Sequence, residues 1–181
     1  MSMKTICCII LGSLLYLPLS AQTFMTRNGN ISFYSKTPLE DIKAENKQAL
    51  AAIDLTKKTI AFTLLQKNFL FNKQLMQDHY NENYVESDKY PKAQFSGTFT
   101  GNVGTAPGTY KVQVEGNLTL HGVTKPVSIP AELEVADGKL TGKTAFAVKP
   151  SDFNIKIPSL VKDKIAEQIN IKVLAACTPA K

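Results

Sequence analysis

Residues 116–135 read GNLTLHGVTKPVSIPAELEV and contain the clearest structural pattern of the chain. Apolar and polar residues alternate on both sides of His121-Gly122, which predicts two long β-strands joined by a turn. Each strand then has one apolar and one polar face, as in an antiparallel sheet with one face in water. The apolar face must be covered, so we expect the sheet to close on itself. Whether its interior is packed with side chains or open for a ligand is the question that decides function.

The same alternation extends along the chain from about Thr59 onward. The apolar positions of this pattern include Ile60, Phe62, Leu64, Phe95, Phe99, Tyr110, Val112, Val114, Leu118, Leu120, Val127, Ile129, Leu133, Val135, Leu140, Phe146, Val148, Ile169, Ile171 and Val173. Turn residues at Pro107-Gly108 and Asp137-Gly138 separate neighbouring strands. We predict one all-β domain of about eight strands, closed as an antiparallel up-and-down β-barrel, with a β-sandwich as the rival architecture.

Two segments interrupt the alternation, and a third segment precedes it. Residues Phe69 to Asn83 have the apolar spacing of a helix, and Pro158 to Gln168 is typical of a second, shorter helix. The predicted buried stripe of the shorter helix comprises Leu160, Val161 and Ile165. The charged residues 39–46 predict a loop or a turn of helix.

The N-terminal residues 1–21 predict a cleaved secretory signal peptide. Lys4 precedes an apolar run from Ile6 to Leu17, and small residues follow up to Ala21. The run is too short for a transmembrane helix, which needs about 20 apolar residues. We therefore expect residues 22–181 to form the exported barrel domain.

The cysteines support an exported domain without disulfides. Cys7 and Cys8 would leave with the signal peptide, so Cys177 would have no partner within the chain. It lies on the apolar side of the last strand pattern, which predicts a buried, unreactive thiol. The lack of a disulfide favours a bacterial periplasm as the location.

The charge pattern argues against nucleic-acid binding. The formal net charge of +6 is mild, and the lysines are scattered along the chain. A nucleic-acid surface would require a basic stripe with interleaved aromatic residues.

Catalytic and metal-binding motifs are weak. Asp78, His79 and Glu82 form a short cluster, but zinc needs three or four ligands, and His121 is the second of the chain's 2 histidines. His121 is expected in a turn and His79 on a helix face. No nucleophile elbow, phosphate-binding glycine loop or dinucleotide fingerprint occurs. The sequence therefore predicts no enzyme and no cofactor, and a metal-dependent enzyme at the short cluster stays as an alternative.

The apolar inventory is compatible with either a packed core or a pocket. Aromatic side chains occur in most predicted elements, as in an ordinary core. Small residues on the apolar faces leave volume, and an apolar cleft with few polar groups suits a lipid. The small residues in question are Gly97, Gly116, Ala131, Gly142 and Thr144.

Two segments resemble a known family. LMQDHYNENYVESDKYPKAQFSG at 75–97 and GNLTLHGVTKPVSIP at 116–130 are similar to signatures of the YceI-like polyisoprenoid-binding proteins. ISFYSKTPLEDIKAEN at 31–46 and FAVKPSDFNIKIPSLVKDKIAEQINIKV at 146–173 resemble the opening and closing segments of that family. The resemblance implies an exported, lipocalin-like barrel that sequesters an isoprenoid or a similar long-chain amphiphile without catalysis.

On this reading the lipid chain lies in the barrel lumen. The predicted ligand-binding residues are Phe33, Phe62, Leu64, Phe71, Leu75, Met76, His79, Tyr80, Phe95, Phe99, Tyr110, Val112, Val114, Leu118, Leu120, Phe146 and Val148. The helix with Met76 and His79 would line one mouth, where His79 or nearby lysines would contact the head group. A transient membrane contact and a monomer or homodimer are compatible with this function. An interaction module or stress-related protein without bound lipid is the other alternative.

Overall fold

The computed structural model describes residues 23–180, so the predicted signal peptide lies outside the described residues. Strands occupy most of this range. They are β1 Thr23–Lys36, β2 Asp41–Asp54, β3 Thr59–Leu65, β4 Leu70–Phe71, β5 Lys92–Thr100, β6 Gly108–Leu120, β7 Val123–Ala136, β8 Lys139–Val148 and β9 Ile169–Pro179.

The strands form one closed antiparallel barrel. Along the sheet the order is β1-β9-β8-β7-β6-β5-β3-β2, and pairing of β1 with β2 completes the ring. The two-residue strand β4 is an addition that pairs with Ala44 and Glu45 of β2. The predicted eight-stranded antiparallel barrel is thereby confirmed.

The two ends of the barrel differ in how their strands are joined. At the turn end, the connections are residues 55–58, 101–107 and 137–138. Asp137 and Gly138 both have positive φ, at 51° and 69°, as a two-residue hairpin of the predicted kind requires. At the opposite end, which we call the connector end, the long segments 66–91 and 149–168 join β3 to β5 and β8 to β9.

A dense core fills the turn end. It comprises Ala51, Ile53, Phe99, Val112, Val114, Leu133, Leu140, Ala175 and Cys177. Cys177 is fully buried, which confirms the predicted burial of this residue. Burial raises the pKa of its thiol to about 11, because a thiolate would have to form out of contact with water.

The connectors contain less regular helix than predicted. In the first connector, α1 covers only Gln74–His79 and continues as a π-helical turn at Tyr80–Tyr84. In the second connector, Ser159–Lys164 is a 3₁₀ helix, and Leu160 is 92% exposed. The prediction of Leu160 as part of a buried stripe was wrong, because a 3₁₀ helix has three residues per turn and directs its side chains differently.

Residues 41–46 are strand, so the prediction of a loop or helical turn there was also wrong. They pair with 31–36 of β1, and Ile42 and Ala44 alternate with charged neighbours. Pairing with β1 supplies the hydrogen bonds that decide the conformation.

The wall contains a seam between β7 and β8. The pairing of β7 with β8 ends at Ala131 and Thr144, although both strands continue towards the connector end. Pro126 and Pro130 in β7 lack the N–H that a central strand would donate, which fits an edge of the sheet. Phe153 and Ile155 of the second connector are buried beside this seam, against a group that includes Val123 and Val148.

Among the described residues, no helix has the length and apolar character needed to cross a membrane.

Candidate functional site

An apolar cavity of about 580 Å³ occupies the barrel. Its deep wall includes Ile53 and Leu133 of the turn-end core. At the connector end the lining includes the exposed residues Lys73, Leu75 and Lys164, so the cavity reaches the surface there. This volume lies within the range of roughly 300–1,000 Å³ that is typical of small-molecule sites.

Four inward-facing phenylalanines are only partly covered by their neighbours. Phe33, Phe62, Phe95 and Phe146 all line the cavity and remain partly accessible, although each belongs to a barrel strand. By contrast, Phe99 on the inner face of β5 is 3% exposed, because the turn-end core surrounds it. The barrel is therefore packed at one end and hollow towards the other.

Four aromatic rings form one wall near the connector end. Phe33 of β1 lies 5.2 Å from Phe69, 5.7 Å from Phe71 and 5.5 Å from Tyr80, measured between ring centroids. Tyr80 is also 5.7 Å from Phe69 and 5.1 Å from Phe71. Such contacts stabilise beyond their buried area. They attach the first connector to the barrel and position α1 over the cavity.

One polar pair is built into this apolar wall. The Tyr80 hydroxyl donates to the side-chain oxygen of Gln66 over 2.7 Å, and Gln66 is fully buried. Within residues 23–180 the Gln66 Nε2 has no hydrogen-bond partner. Burial raises the pKa of Tyr80 above its ordinary value, so the phenol stays protonated and acts as the donor.

The mouth of the cavity is bordered by three segments of chain. Glu40 lies in the β1–β2 turn, and Lys73 precedes α1; their side chains are joined by an ion pair of 3.2 Å. The third segment includes Val161 and Ile165, and it is held to β1 where the Ala166 N–H donates to Ser35 Oγ over 2.8 Å. His79 is exposed and lines the cavity at this border.

The structure brings most of the predicted ligand-binding residues together around the cavity. Those that line it are Phe33, Phe62, Leu64, Phe71, Leu75, Met76, His79, Tyr80, Phe95, Val114, Leu118, Leu120, Phe146 and Val148. Phe99 and Val112 instead belong to the turn-end core. Tyr110 lies away from the cavity, where its hydroxyl donates to the Ala106 carbonyl over 2.8 Å. These three lie on the same alternating faces, but too near the packed end to reach the cavity.

Sequence reasoning missed a substantial part of the lining. The additional apolar residues include Ile31, Ile42, Ile60, Phe69, Ile155, Ile157, Val161, Ile165, Ile169, Ile171 and Val173. The alternation of Ile169, Ile171 and Val173 contained the necessary signal for β9. The lining from the second connector has no comparable period and depends on tertiary structure.

The small residues serve two different purposes. Ala131, Gly142 and Thr144 line the cavity and contribute to its volume. Gly97 and Gly116 face each other in β5 and β6, and a Cβ on Gly116 would lie 2.6 Å from the Gly97 Cα. The expectation that these two glycines leave open volume was wrong, because they let two backbones approach closely.

His121 joins the turns of the connector end. Its Nε2 lies 2.7 Å from a Glu86 carboxylate oxygen, and its Nδ1 lies 3.0 Å from the Phe153 carbonyl oxygen. The Tyr90 ring packs edge-on against it, with centroids 4.5 Å apart. His121 is in a turn as predicted, with φ of 51°, but it is 9% exposed and connects both long connectors.

The short acidic cluster does not assemble into a metal site. Asp78 accepts a hydrogen bond from the Gln74 side chain over 2.8 Å, within α1. In the part of the chain that the structure describes, no three His, Cys, Asp or Glu side chains are grouped so as to hold a metal ion.

Known proteins share this sequence and architecture. The chain is 39% identical over 85 residues to a UPF0312 protein of Shewanella oneidensis, covering 42% of this chain and 41% of that protein. It is 31% identical over 141 residues to a UPF0312 protein of Photorhabdus laumondii, covering 74% of this chain and 62% of that protein. The chain thus spans 41% and 62% of the length of these two relatives.

A solved structure of a polyisoprenoid binding domain from Saccharophagus degradans, implicated in plant cell wall breakdown, superposes with a TM-score of 0.75. It is 11% identical and covers 88% of this chain and 99% of that domain, so the likeness concerns the fold alone. A family model described as a YceI-like domain matches residues 21–176, and the chain therefore belongs to the YceI-like family.

Proposed function

We propose that this protein is a non-catalytic lipid-binding barrel that sequesters an isoprenoid or a similar long-chain amphiphile. The observation that carries the proposal is the apolar cavity of about 580 Å³, which has a packed floor and reaches the surface at the connector end. A hydrocarbon chain gains free energy in such a lumen because it leaves water. Family membership and the ligand named for the Saccharophagus degradans domain support this choice of ligand class.

The arrangement of polar groups supports binding rather than catalysis. Lys73, Glu40 and His79 are at the mouth, where a polar head group would remain in contact with water. Deeper in the site, the Gln66–Tyr80 pair is set into an otherwise apolar wall. Catalysis would require a nucleophile and a base in contact, or a comparable acid–base pair, facing the bound chain.

The function includes export to a bacterial periplasm. The apolar run Ile6–Leu17 and the small residues up to Ala21 support this part of the proposal. Expression of the full chain in a bacterium, followed by fractionation and mass measurement, tests it. We expect a periplasmic protein that begins at residue 22, and an uncleaved cytoplasmic chain would contradict export.

A matched pair of substitutions tests lipid binding. Ala131 lines the cavity, whereas Ala145 of β8 is exposed on the outer face. We expect Ala131→Phe to fill part of the lumen and reduce the amount of co-purified lipid. Ala145→Phe adds the same ring outside the lumen and should leave lipid content unchanged.

The measurement is mass spectrometry of gently purified protein, with extraction and quantification of bound lipid. The wild type should contain a long-chain lipid in a ratio approaching one per protein. Repeated recovery of lipid-free wild type from lipid-rich cells, with no uptake of added farnesol, would contradict the proposal.

A further inference from the structure

Exposed leucines surround the cavity mouth. Leu39 in the β1–β2 turn is 66% exposed, Leu75 in α1 is 65% exposed, and Leu160 in the second connector is 92% exposed. They belong to three separate segments, yet all three segments meet at the connector end. We call these three residues the leucine rim.

The leucine rim adjoins the cavity lining. Leu75 lines the cavity itself, Leu39 precedes the lining residue Glu40, and Leu160 precedes the lining residue Val161. Each rim residue is therefore either in the lining or one position from it in the sequence. Leucine side chains exposed around the entrance of an apolar site indicate a surface that contacts another apolar phase.

Lysines accompany the leucine rim. Lys156, Lys162 and Lys164 flank Leu160 in the sequence, and all three are exposed. Among the described residues, none of them is within ion-pair distance of a carboxylate. Asp152, Asp163 and Glu167 offset most of the lysine charge of the second connector, so residues 149–168 carry 4 lysines against 3 acidic residues, a formal charge of +1. The excess positive charge lies in residues 156–164, where Asp163 is the single acidic residue beside Leu160.

We propose that the leucine rim and these lysines dock the connector end on an anionic lipid bilayer. Leucines enter the interface between head groups and acyl chains, while lysine side chains extend to the phosphates. The cavity mouth then faces the hydrocarbon, so a lipid tail moves between bilayer and lumen without crossing water. The purpose of docking rests on the proposed lipid-binding function, but docking itself is measured separately.

The lysines beside Leu160 favour an anionic bilayer as the occupant. Residues 156–164 contain three lysines and one acidic residue, Asp163, so an anionic head-group layer complements the charge of this stretch. Self-association at this end remains an outcome that the experiment separates.

The test measures partitioning of the wild type onto phosphatidylcholine vesicles with and without phosphatidylglycerol. The double variant Leu39→Thr/Leu160→Thr changes rim residues that are not cavity-lining, so uptake of farnesol should be unchanged. Leu174→Thr is the matched control, because Leu174 is 45% exposed on β9 in the barrel wall. Lys156→Gln/Lys162→Gln tests the charge at two exposed lysines outside the cavity lining, with exposed Lys111→Gln on β6 as its control.

We expect the wild type to bind phosphatidylglycerol vesicles more tightly than phosphatidylcholine vesicles, and less tightly as salt is raised. Loss of one inserted leucine should weaken partitioning by roughly tenfold or more. Equal binding by wild type and the leucine double variant, or no binding to either vesicle, would overturn the proposal. Sedimentation that shows a rim-dependent dimer without vesicle binding would overturn it in favour of self-association.

The failure of docking and the failure of lipid binding give different results. A protein that takes up farnesol but ignores vesicles lacks the docking surface and keeps the proposed function. A protein that binds vesicles through the leucine rim but never takes up farnesol keeps the docking surface and lacks the proposed function.

Discussion

Two phenylalanines on one strand provide a direct comparison between packed core and cavity wall. Phe95 and Phe99 are four residues apart on β5, so both side chains point to the inner face of the barrel. Phe99 is 3% exposed within the turn-end core, whereas Phe95 lines the cavity and is partly exposed. The same substitution at the two positions should therefore have different consequences.

Phe99→Ala should lower the free energy of unfolding by about 3–5 kcal/mol, because it leaves an enclosed void in a dense core. Phe95→Ala should cost only about 1–3 kcal/mol, because it enlarges a cavity that already exists and loses a smaller buried area. For affinity the order reverses. Removing the Phe95 ring should weaken binding of a dansyl-labelled fatty acid by roughly tenfold, equivalent to about 1.4 kcal/mol, while Phe99→Ala should leave it nearly unchanged.

Urea unfolding and fluorescence titration on the same protein preparations measure the two quantities. Similar stability losses together with similar affinities for both variants would refute the distinction between a packed floor and an open lumen. An affinity loss confined to Phe99→Ala would place the ligand at the turn end, contrary to the position of the cavity.

Three further predictions concern the polar pair, the glycine pair and the thiol. Tyr80→Phe should cost about 1–3 kcal/mol by leaving the Gln66 oxygen unpaired, and Gln66→Leu added to it should restore part of that loss; a double-mutant cycle in urea checks this, and additive losses would contradict it. Gly116→Ala should destabilise by roughly 1–3 kcal/mol, because the new Cβ would lie 2.7 Å from the Phe95 ring. Gly142→Ala is its control, since a Cβ on Gly142 would lie 3.4 Å from its nearest neighbour, the Ile53 side chain. Equal melting temperatures for the two variants would contradict the close approach of the β5 and β6 backbones at Gly97 and Gly116. Burial raises the pKa of Cys177 from 9.0 to about 11, so the folded state retains the thiol proton after the unfolded chain has lost it. Stability from this group is complete below pH 9.0 and declines as pH rises towards 11; the decline should be smaller in Cys177→Ala, and identical pH profiles would contradict it.

The alternation of apolar and polar residues was sufficient to predict most strands of the barrel wall. Strands β6 and β7 have long periodic stretches and the tight turn at His121-Gly122, so local pattern and final structure agree. Strand β2 was not predicted because alanines and the buried Asn46 weaken its pattern, and its conformation depends on pairing with β1. The sequence of one strand does not identify the neighbouring strand with which it forms hydrogen bonds.

The extent of the cavity was harder to predict than its existence. Alternation assigns a residue to the inner face but does not say how far along the barrel the packed core extends, so Phe99 and Val112 were grouped with residues such as Phe95. Connector residues such as Val161 and Ile165 reach the lumen only through tertiary contacts. The contact between Glu86 and His121 joins residues 35 positions apart along the chain, so no local pattern indicates it.

The seam between β7 and β8 has a consequence for which molecules one barrel accommodates. Where the two strands separate, the circumference of the barrel depends on the packing of Phe153 and Ile155. No ladder of main-chain hydrogen bonds between β7 and β8 fixes it there. A continuous ladder has a fixed circumference, but a packed segment moves outward without breaking any strand pairing. We therefore expect the part of the lumen near the connector end to accept ligands of differing thickness, from unbranched alkyl chains to methyl-branched ones. The packed turn end should keep the same dimensions with each ligand.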